Sequence, residues 1–306
     1  MTRSSPWGPL EVADAHLHFF SHRFYELLAK QAGLANATEA CTRAGVDLPP
    51  EDPRLFAAQW VAELDRHGVS RAVLLASLPG DEPSVAEAVR SHPDRFFGWF
   101  FANPAMPHAA ARVEEWLNHG LRGVCLLPAM HGYALADPRV EEILQVAERH
   151  SAVVFVHCGV LSVGIRARVG APSPFDMRFS NPIDLHPLAL RHPRLRFVIP
   201  HFGAGYFREA LMTASLCPNV YFDTSSSNSW TKYLLPSPTL EQVFERALEI
   251  VGPQRLLFGS DSSFFPRGWV HTVFERQCEA LSRIGASAQD AGAIFAGNLL
   301  RLMQTP

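Results

Sequence analysis

Apolar positions along the chain switch repeatedly between helical and strand spacing. Leu55, Phe56, Trp60, Val61 and Leu64 recur at three- and four-residue intervals, and Gly68 ends that helix. Arg71–Ser77 follows as a continuous apolar run, the pattern of a strand buried on both faces. The alternation then repeats: helices are expected at 84–91, 109–118, 138–150, 187–191, 206–216 and 239–251, with strands at 96–101, 123–127, 153–157, 196–201, 220–223 and 255–260. Two closing helices lie in 270–284 and 289–303. At the front, a strand over about residues 10–18 precedes a polar and aromatic insertion, 19–52, with a short helical piece around Phe24–Gln31.

Eight strands, each followed by helix, predict a (β/α)8 TIM barrel of the α/β class rather than an open doubly wound sheet. A chain of 306 residues suits a single barrel domain over 1–306, with long loops after strands 1, 5 and 7 at 19–52, 159–182 and 224–238. All three follow strands, which puts them on the catalytic face. No G-x-G-x-x-G turn opens a helix, which removes the main support for dinucleotide binding.

Composition narrows the partners. A hydrophobic fraction of 47%, a charged fraction of 19% and a net charge of -3 describe a globular chain with a sizeable core and no nucleic-acid track. No apolar segment is long enough for a membrane helix, and the opening residues lack the apolar core of a signal peptide, so a cytoplasmic protein is expected. Cys41, Cys125, Cys158, Cys217 and Cys278 are scattered and lack any CxxC pair, the pattern of reduced thiols. Basic charge is nearly all arginine, Lys30 and Lys232 being the only lysines.

The chemistry collects at strand ends. In Asp14-Ala-His16-Leu-His18 the two imidazoles stand two residues apart, so on a strand they share a face and can grip one ion. The fifth strand ends in His157, the sixth in His201 and the eighth in Asp261. Four imidazoles and a carboxylate converging on one mouth suit Zn²⁺, Mn²⁺ or Fe²⁺ with a position left for water or substrate.

These stretches, together with His92–Phe96 (HPDRF), VHCG, PHFGAG, GSD and the closing IFAGNLLRL, resemble the amidohydrolase superfamily. They are most similar to its amidohydrolase-related branch, which holds metal-dependent hydrolases and non-oxidative decarboxylases such as aminocarboxymuconate semialdehyde decarboxylase. The resemblance implies that His16, His18, His157 and Asp261 ligate one divalent ion, zinc first, with Mn or Fe as alternatives. It also implies that His201 sits beside the ion as acid/base or additional ligand. Binuclear relatives bridge two metals with a lysine ending the fourth strand. Here that strand ends Cys125-Leu-Leu127-Pro128, so one ion is expected, although Asp14, His131 and His201 leave a second ion open.

In this reading Asp261 moves the proton of the activated water, and His201 stabilises the oxyanion or acts as acid. Arg166, Arg168 and Arg178 after the fifth strand and Arg267 after the eighth are candidates for binding a substrate carboxylate. Trp230 and Trp269, with Phe19, Phe20, Phe264 and Phe265, are candidates for the pocket wall. The leading expectation is a hydrolase of a small, carbonyl-containing substrate, carboxylated or aromatic. The alternative is a decarboxylase of an aromatic or unsaturated acid; a di-metal redox relative and a non-catalytic barrel are less favoured. The expected partner is a small molecule, not nucleic acid or membrane, with a homodimer left open.

Overall fold

The computed structural model describes residues 1–173, 175–225 and 230–304. Residue 174 and residues 226–229, inside the loops expected after the fifth and seventh strands, lie outside the described set.

An N-terminal hairpin, β1 (Arg3–Ser5) and β2 (Gly8–Leu10), comes first, a feature absent from the sequence expectation. The barrel strands are β3 (Ala13–His18), β4 (Arg71–Ala76), β5 (Phe96–Ala102), β6 (Gly123–Leu126), β7 (Val153–Val156), β8 (Arg196–Ile199), β9 (Val220–Asp223) and β10 (Leu256–Leu257). They pair in sequence order, all parallel. The backbone closes the ring between β3 and the segment after β10, through Ala15 N–H to Phe258 O at 2.8 Å, Asp261 N–H to His16 O at 2.9 Å and His18 N–H to Ser262 O at 2.8 Å. This is the expected (β/α)8 barrel.

Alternation sorts the side chains into two cores. Inside the barrel, Val73, Leu75, Trp99, Cys125, Val153, Phe155, Val198 and Leu257 pack together with Leu299, Leu302 and Met303 of the last helix. Outside it, Leu17, Leu74, Val124, Val154, Phe197 and Phe222 meet the surrounding helices. Insertion 19–52 is more ordered than a loop. It forms α1 (His22–Ala32) and α2 (Ala37–Ala44), each started by a side-chain cap, Ser21 and Asn36, and stopped by a left-handed glycine, Gly33 and Gly45. These helices build a small core of their own around Phe20, Phe24, Tyr25, Leu28, Cys41 and Ile165, which caps the C-terminal mouth.

Several boundaries differ from expectation for physical reasons. β3 starts at Ala13 rather than near residue 10, because the hairpin uses Gly8–Leu10. β8 ends at Ile199, and His201 and Phe202 then take left-handed backbone, with φ of 53° and 52°. β10 holds two residues, since the chain beyond Leu257 is bonded by side chains as much as by neighbouring strands. The closing helix is interrupted by a wide turn over Ala293–Gly297.

Gly159 shows how tightly the mouth is built. Its φ is +78°, and a Cβ there would collide with the carbonyl oxygens of Gly203 and Ala204. Gly159→Ala is therefore expected to lower the unfolding free energy by about 2 to 4 kcal/mol, combining a left-handed penalty with a backbone displacement. Chemical denaturation beside Gly292→Ala checks this, because Gly292 has helical backbone (φ −59°) and nothing within 4 Å of a built Cβ.

Candidate metal centre

β3 carries an irregularity between Asp14 and Leu17 that includes His16, and His16 and His18 both face the cavity. Each ring has one nitrogen already committed. His16 Nδ1–H donates to Asp223 Oδ2 at 2.5 Å. His18 Nδ1–H donates to Ser77 Oγ at 2.6 Å, and the Ser77 hydroxyl donates onward to Leu75 O at 3.2 Å. When the rings are neutral both Nε2 atoms are thereby left as acceptors, 3.2 Å apart. Asp261 Oδ1 completes a triangle, 3.1 Å from His18 Nε2 and 3.5 Å from His16 Nε2. Donors bound to one zinc-sized ion at about 2.0–2.2 Å in tetrahedral array stand about 3.3–3.6 Å apart, and the observed 3.1–3.5 Å lies within about 0.2 Å of that range.

Three electron-rich atoms at this distance repel one another unless a cation or a proton lies among them, and the titration of the group reflects this. Burial pulls the His16 imidazole down, but the Asp223 carboxylate outweighs it and pushes the ring up to about 9. Burial would raise Asp261, yet a proton shared with His18 Nε2 when no ion is bound and the charge of His16 hold it well below the usual carboxylate range. His18 is lowered, chiefly by burial.

His157 and His201 flank the triangle. Their ring centroids are 5.5 Å apart, and His201 is 5.1 Å from His16. His157 lies outside the tight group, but it lines the same cavity, and its buried Nδ1 has no hydrogen-bond partner among the described residues. His201 Nδ1 is 3.0 Å from the Ser225 carbonyl and 2.8 Å from Ser225 Oγ. A carbonyl only accepts, so this nitrogen carries the proton and Nε2 is left as an acceptor. His16, His201 and Asp223 also gather within 4.8 Å, but the short contact there is the His16–Asp223 hydrogen bond itself.

Asp14 explains how Asp261 comes to its place. Fully buried, it accepts from His16 N at 2.9 Å, Ser260 N at 3.0 Å, Trp269 Nε1 at 2.8 Å and the Ser260 hydroxyl. Burial raises its carboxyl to about 6 against those bonds. Gly259 makes room for the next layer, since a Cβ there would meet Asp223 Oδ1 and come within 2.9 Å of His16 Cβ. Asp261 itself takes φ 57°, a left-handed geometry uncommon outside glycine and frequent at functional sites.

Asp223, Ser77 and Ser225 were not among the residues picked from sequence. The signal was present, because Asp223 ends β9 and Ser77 directly follows β4, the positions at which the histidines were found.

The triangle forms the floor of a cavity of about 410 Å³, walled by Phe20, Phe101, Leu127, Phe155 and Phe264, with Arg166, Arg168 and Arg267 toward its rim. Two proposed substrate residues do not reach it. Arg178 is 82% exposed and forked onto Asp176, two residues away in the same loop. Trp230 is buried against Phe202 and Phe207. Phe19, Trp269 and Phe265 also belong to packing: Phe19 packs at a tilt against Phe56, Trp269 serves Asp14, and Phe265 packs at a tilt against Trp60. Asp14 and His131, unassigned from sequence, are the buried clamp and a ring stacked on Tyr133 at 6.4 Å.

Two outcomes are expected. Asp223→Asn removes the charge that fixes the His16 tautomer and should weaken zinc binding about 10- to 100-fold, read by chelator competition. A divalent ion must also displace the proton that His16 takes up at about 9, so its apparent affinity should fall as pH drops below that value. Isothermal titration with zinc between pH 6 and 9 in several buffers would expose a flat profile, which the arrangement does not allow.

Comparison with known proteins places this geometry. Protein fluG of Emericella nidulans is 36% identical over 87 residues, 28% of this chain and 10% of that protein, so the chain spans about a tenth of the length of this curated relative. The 5-carboxyvanillate decarboxylase of Novosphingobium aromaticivorans, solved with manganese and 4-hydroxy-3-methoxy-5-nitrobenzoic acid, superposes with a TM-score of 0.64 at 15% identity, covering 97% of this chain and 96% of that one. A probable 2-pyrone-4,6-dicarboxylic acid hydrolase of Acinetobacter baumannii, with citric acid bound, gives a TM-score of 0.62 at 17% identity, covering 97% and 100%. At these identities the two structures share the fold. The sequence model of the amidohydrolase family matches residues 13–303, nearly the whole barrel, and the chain belongs to that family.

Proposed function

We propose that the protein is a metal-dependent hydrolase that opens a small carbonyl compound, such as an amide or a lactone, with water. The observation that carries this reading is the triangle of His16 Nε2, His18 Nε2 and Asp261 Oδ1, whose imidazoles have their other nitrogens tied to Asp223 and Ser77. One divalent ion per chain is held there by His16, His18, His157 and Asp261, with His201 beside it; zinc suits the donors first, then manganese or iron. Such an ion lowers the pKa of a water to about 7 and polarises a carbonyl oxygen.

The chain's own residues do the rest. Asp261 accepts the proton of the attacking water and returns it to the nitrogen or oxygen of the breaking bond, so no proton is left over. His201, with its proton on Nδ1, offers Nε2 as an acceptor; that favours a ligand or base over the oxyanion donor expected from sequence. Phe20, Phe101 and Phe155 keep bulk water from the reacting atoms. A single ion is supported by the fourth barrel strand, whose mouth is Leu127 and Pro128, while Lys30 is exposed on α1 and Lys232 stands at the rim. That leaves less support for a di-metal redox enzyme and, with the ligand set intact, for a non-catalytic barrel.

Decarboxylation of an aromatic acid is the second reading, favoured by the aromatic walls and by the likeness to the Novosphingobium decarboxylase. The working environment proposed is the cytoplasm, supported by five buried cysteines that form no disulfide. Among the described residues no helix is long and apolar enough to cross a membrane. We assign a small-molecule substrate, no nucleic-acid partner, and a monomer or homodimer.

Zinc-loaded protein is expected to carry close to one equivalent of metal per chain and to hydrolyse members of a lactone and amide panel without oxygen. Carbon dioxide release from aromatic acids, with no hydrolysis of that panel, would replace the hydrolase with the decarboxylase reading.

A further inference from the structure

Resting on the reading of the cavity as a substrate site, we propose that Arg267 is the side chain that holds a carboxylate of the substrate beside the metal centre. Four cations, Arg166, Arg168, Lys232 and Arg267, line the cavity against one carboxylate, Asp261, which belongs to the centre itself. The four differ in what they have left to offer. Arg166 is spent on the cap, with Nη1 on Gln31 Oε1 at 2.6 Å and with Nε and Nη2 on the Pro172 carbonyl at 3.1 and 2.5 Å. Among the described residues Arg168 keeps Nε and Nη2, but its Nη1 is tied to the Ala44 carbonyl at the end of α2, at 3.0 Å, so it is held by the cap and not by the segment that carries Asp261. Lys232 lies 5.1 Å from the centre of the Tyr233 ring and presents a point charge without a fork.

Arg267 differs from the other three in being anchored on the metal-centre segment itself, and among the described residues it uses one nitrogen for this. Its Nη2 donates to Ser263 Oγ at 2.7 Å and to the Asp261 carbonyl at 3.3 Å. Its guanidinium stacks 4.4 Å from the centre of the Phe264 ring, which fixes its plane. Of the five N–H groups of a guanidinium, the three on Nε and Nη1 remain for a ligand. A planar fork with spare donors matches a carboxylate. Because the anchor is the backbone oxygen of Asp261, a group bound there sits at a set distance from the reacting carbon. The ligand class is therefore a small acid whose carboxylate lies a short way from the bond to be broken, and Arg168, 5.5 Å from the same ring, adds positive charge behind it.

The test is equilibrium binding of benzoate and its neutral isostere benzamide to zinc-loaded wild type, Arg267→Ala and Arg267→Lys. Arg267→Ala should weaken benzoate about 10- to 100-fold, the size of a lost charge-assisted hydrogen bond, and change benzamide less than about 3-fold. Arg267→Lys keeps the charge without the fork, should recover part of that loss, and carries the test if the alanine variant does not fold. Unchanged benzoate affinity, equal losses for both ligands, or no wild-type preference for benzoate would overturn the assignment. Binding is read without turnover, so a hydrolase reading that fails on the substrate panel leaves this result standing, and the reverse holds too.

Discussion

A buried carboxylate, Asp14, reinforces the backbone seam that closes the barrel. The last strand, Leu256–Leu257, is too short to close the ring by a regular ladder, and the gap is bridged by hydrogen bonds from both sides of the seam to Asp14. Hydrogen bonds to a charged group contribute about 1.5–3 kcal/mol each, and a buried charge stripped of them would be unsustainable. Asn298 adds a second brace, donating to the Pro253 and Leu256 carbonyls at 2.7 Å each. His16 and Asp261 inherit their positions from this seam, because His16 comes from one side of it and Asp261 from the other.

The centre also stores backbone strain. Residues 201 to 205 all have positive φ, and three of them, His201, Phe202 and Ala204, are not glycine. Each such residue costs about 1–2 kcal/mol. Burial of Phe202 among Phe207, Phe222, Trp230 and Phe244 offsets that cost and locks the turn, which in turn aims the His201 ring. The ring has little choice of tautomer once Ser225 receives its proton. Asp223, meanwhile, accepts from both His16 and the Ser225 hydroxyl, so the two histidines share one electrostatic support.

Much of this was legible in the sequence where a residue's role follows from periodicity. Alternation placed His16 and His18 on one face, and the count of apolar runs gave the barrel. Position at a strand mouth brought His157, His201 and Asp261 to the same cavity. Less visible were the residues whose role depends on a partner far along the chain. Asp223 and Asp14 look like ordinary strand acids until His16 and Trp269, over 200 residues away, are brought to them. Loop arginines carried no such pattern: Arg178 turned out to be paired within its own turn, while Arg267 at the cavity rim resembled it in sequence. Trp230 was misplaced for the same reason, since a loop tryptophan can as well roof a core as wall a pocket.

The apolar mouth of the fourth barrel strand reaches beyond the count of metals. With imidazoles and carboxylate entering from β3, β7 and the segments after β8 and β10, and Phe101 and Leu127 facing them from β5 and β6, the cavity has a polar side and a greasy side. A molecule with one ionic end and one hydrocarbon end can lie in it in only one direction, since the reverse would leave a charge against Leu127 and a ring against Asp261. The barrel thus imposes a heading on its guest: of two chemically alike bonds in such a molecule, one near its ionic end and one near its hydrocarbon end, only one is presented, and regiochemistry is decided before any bond is touched.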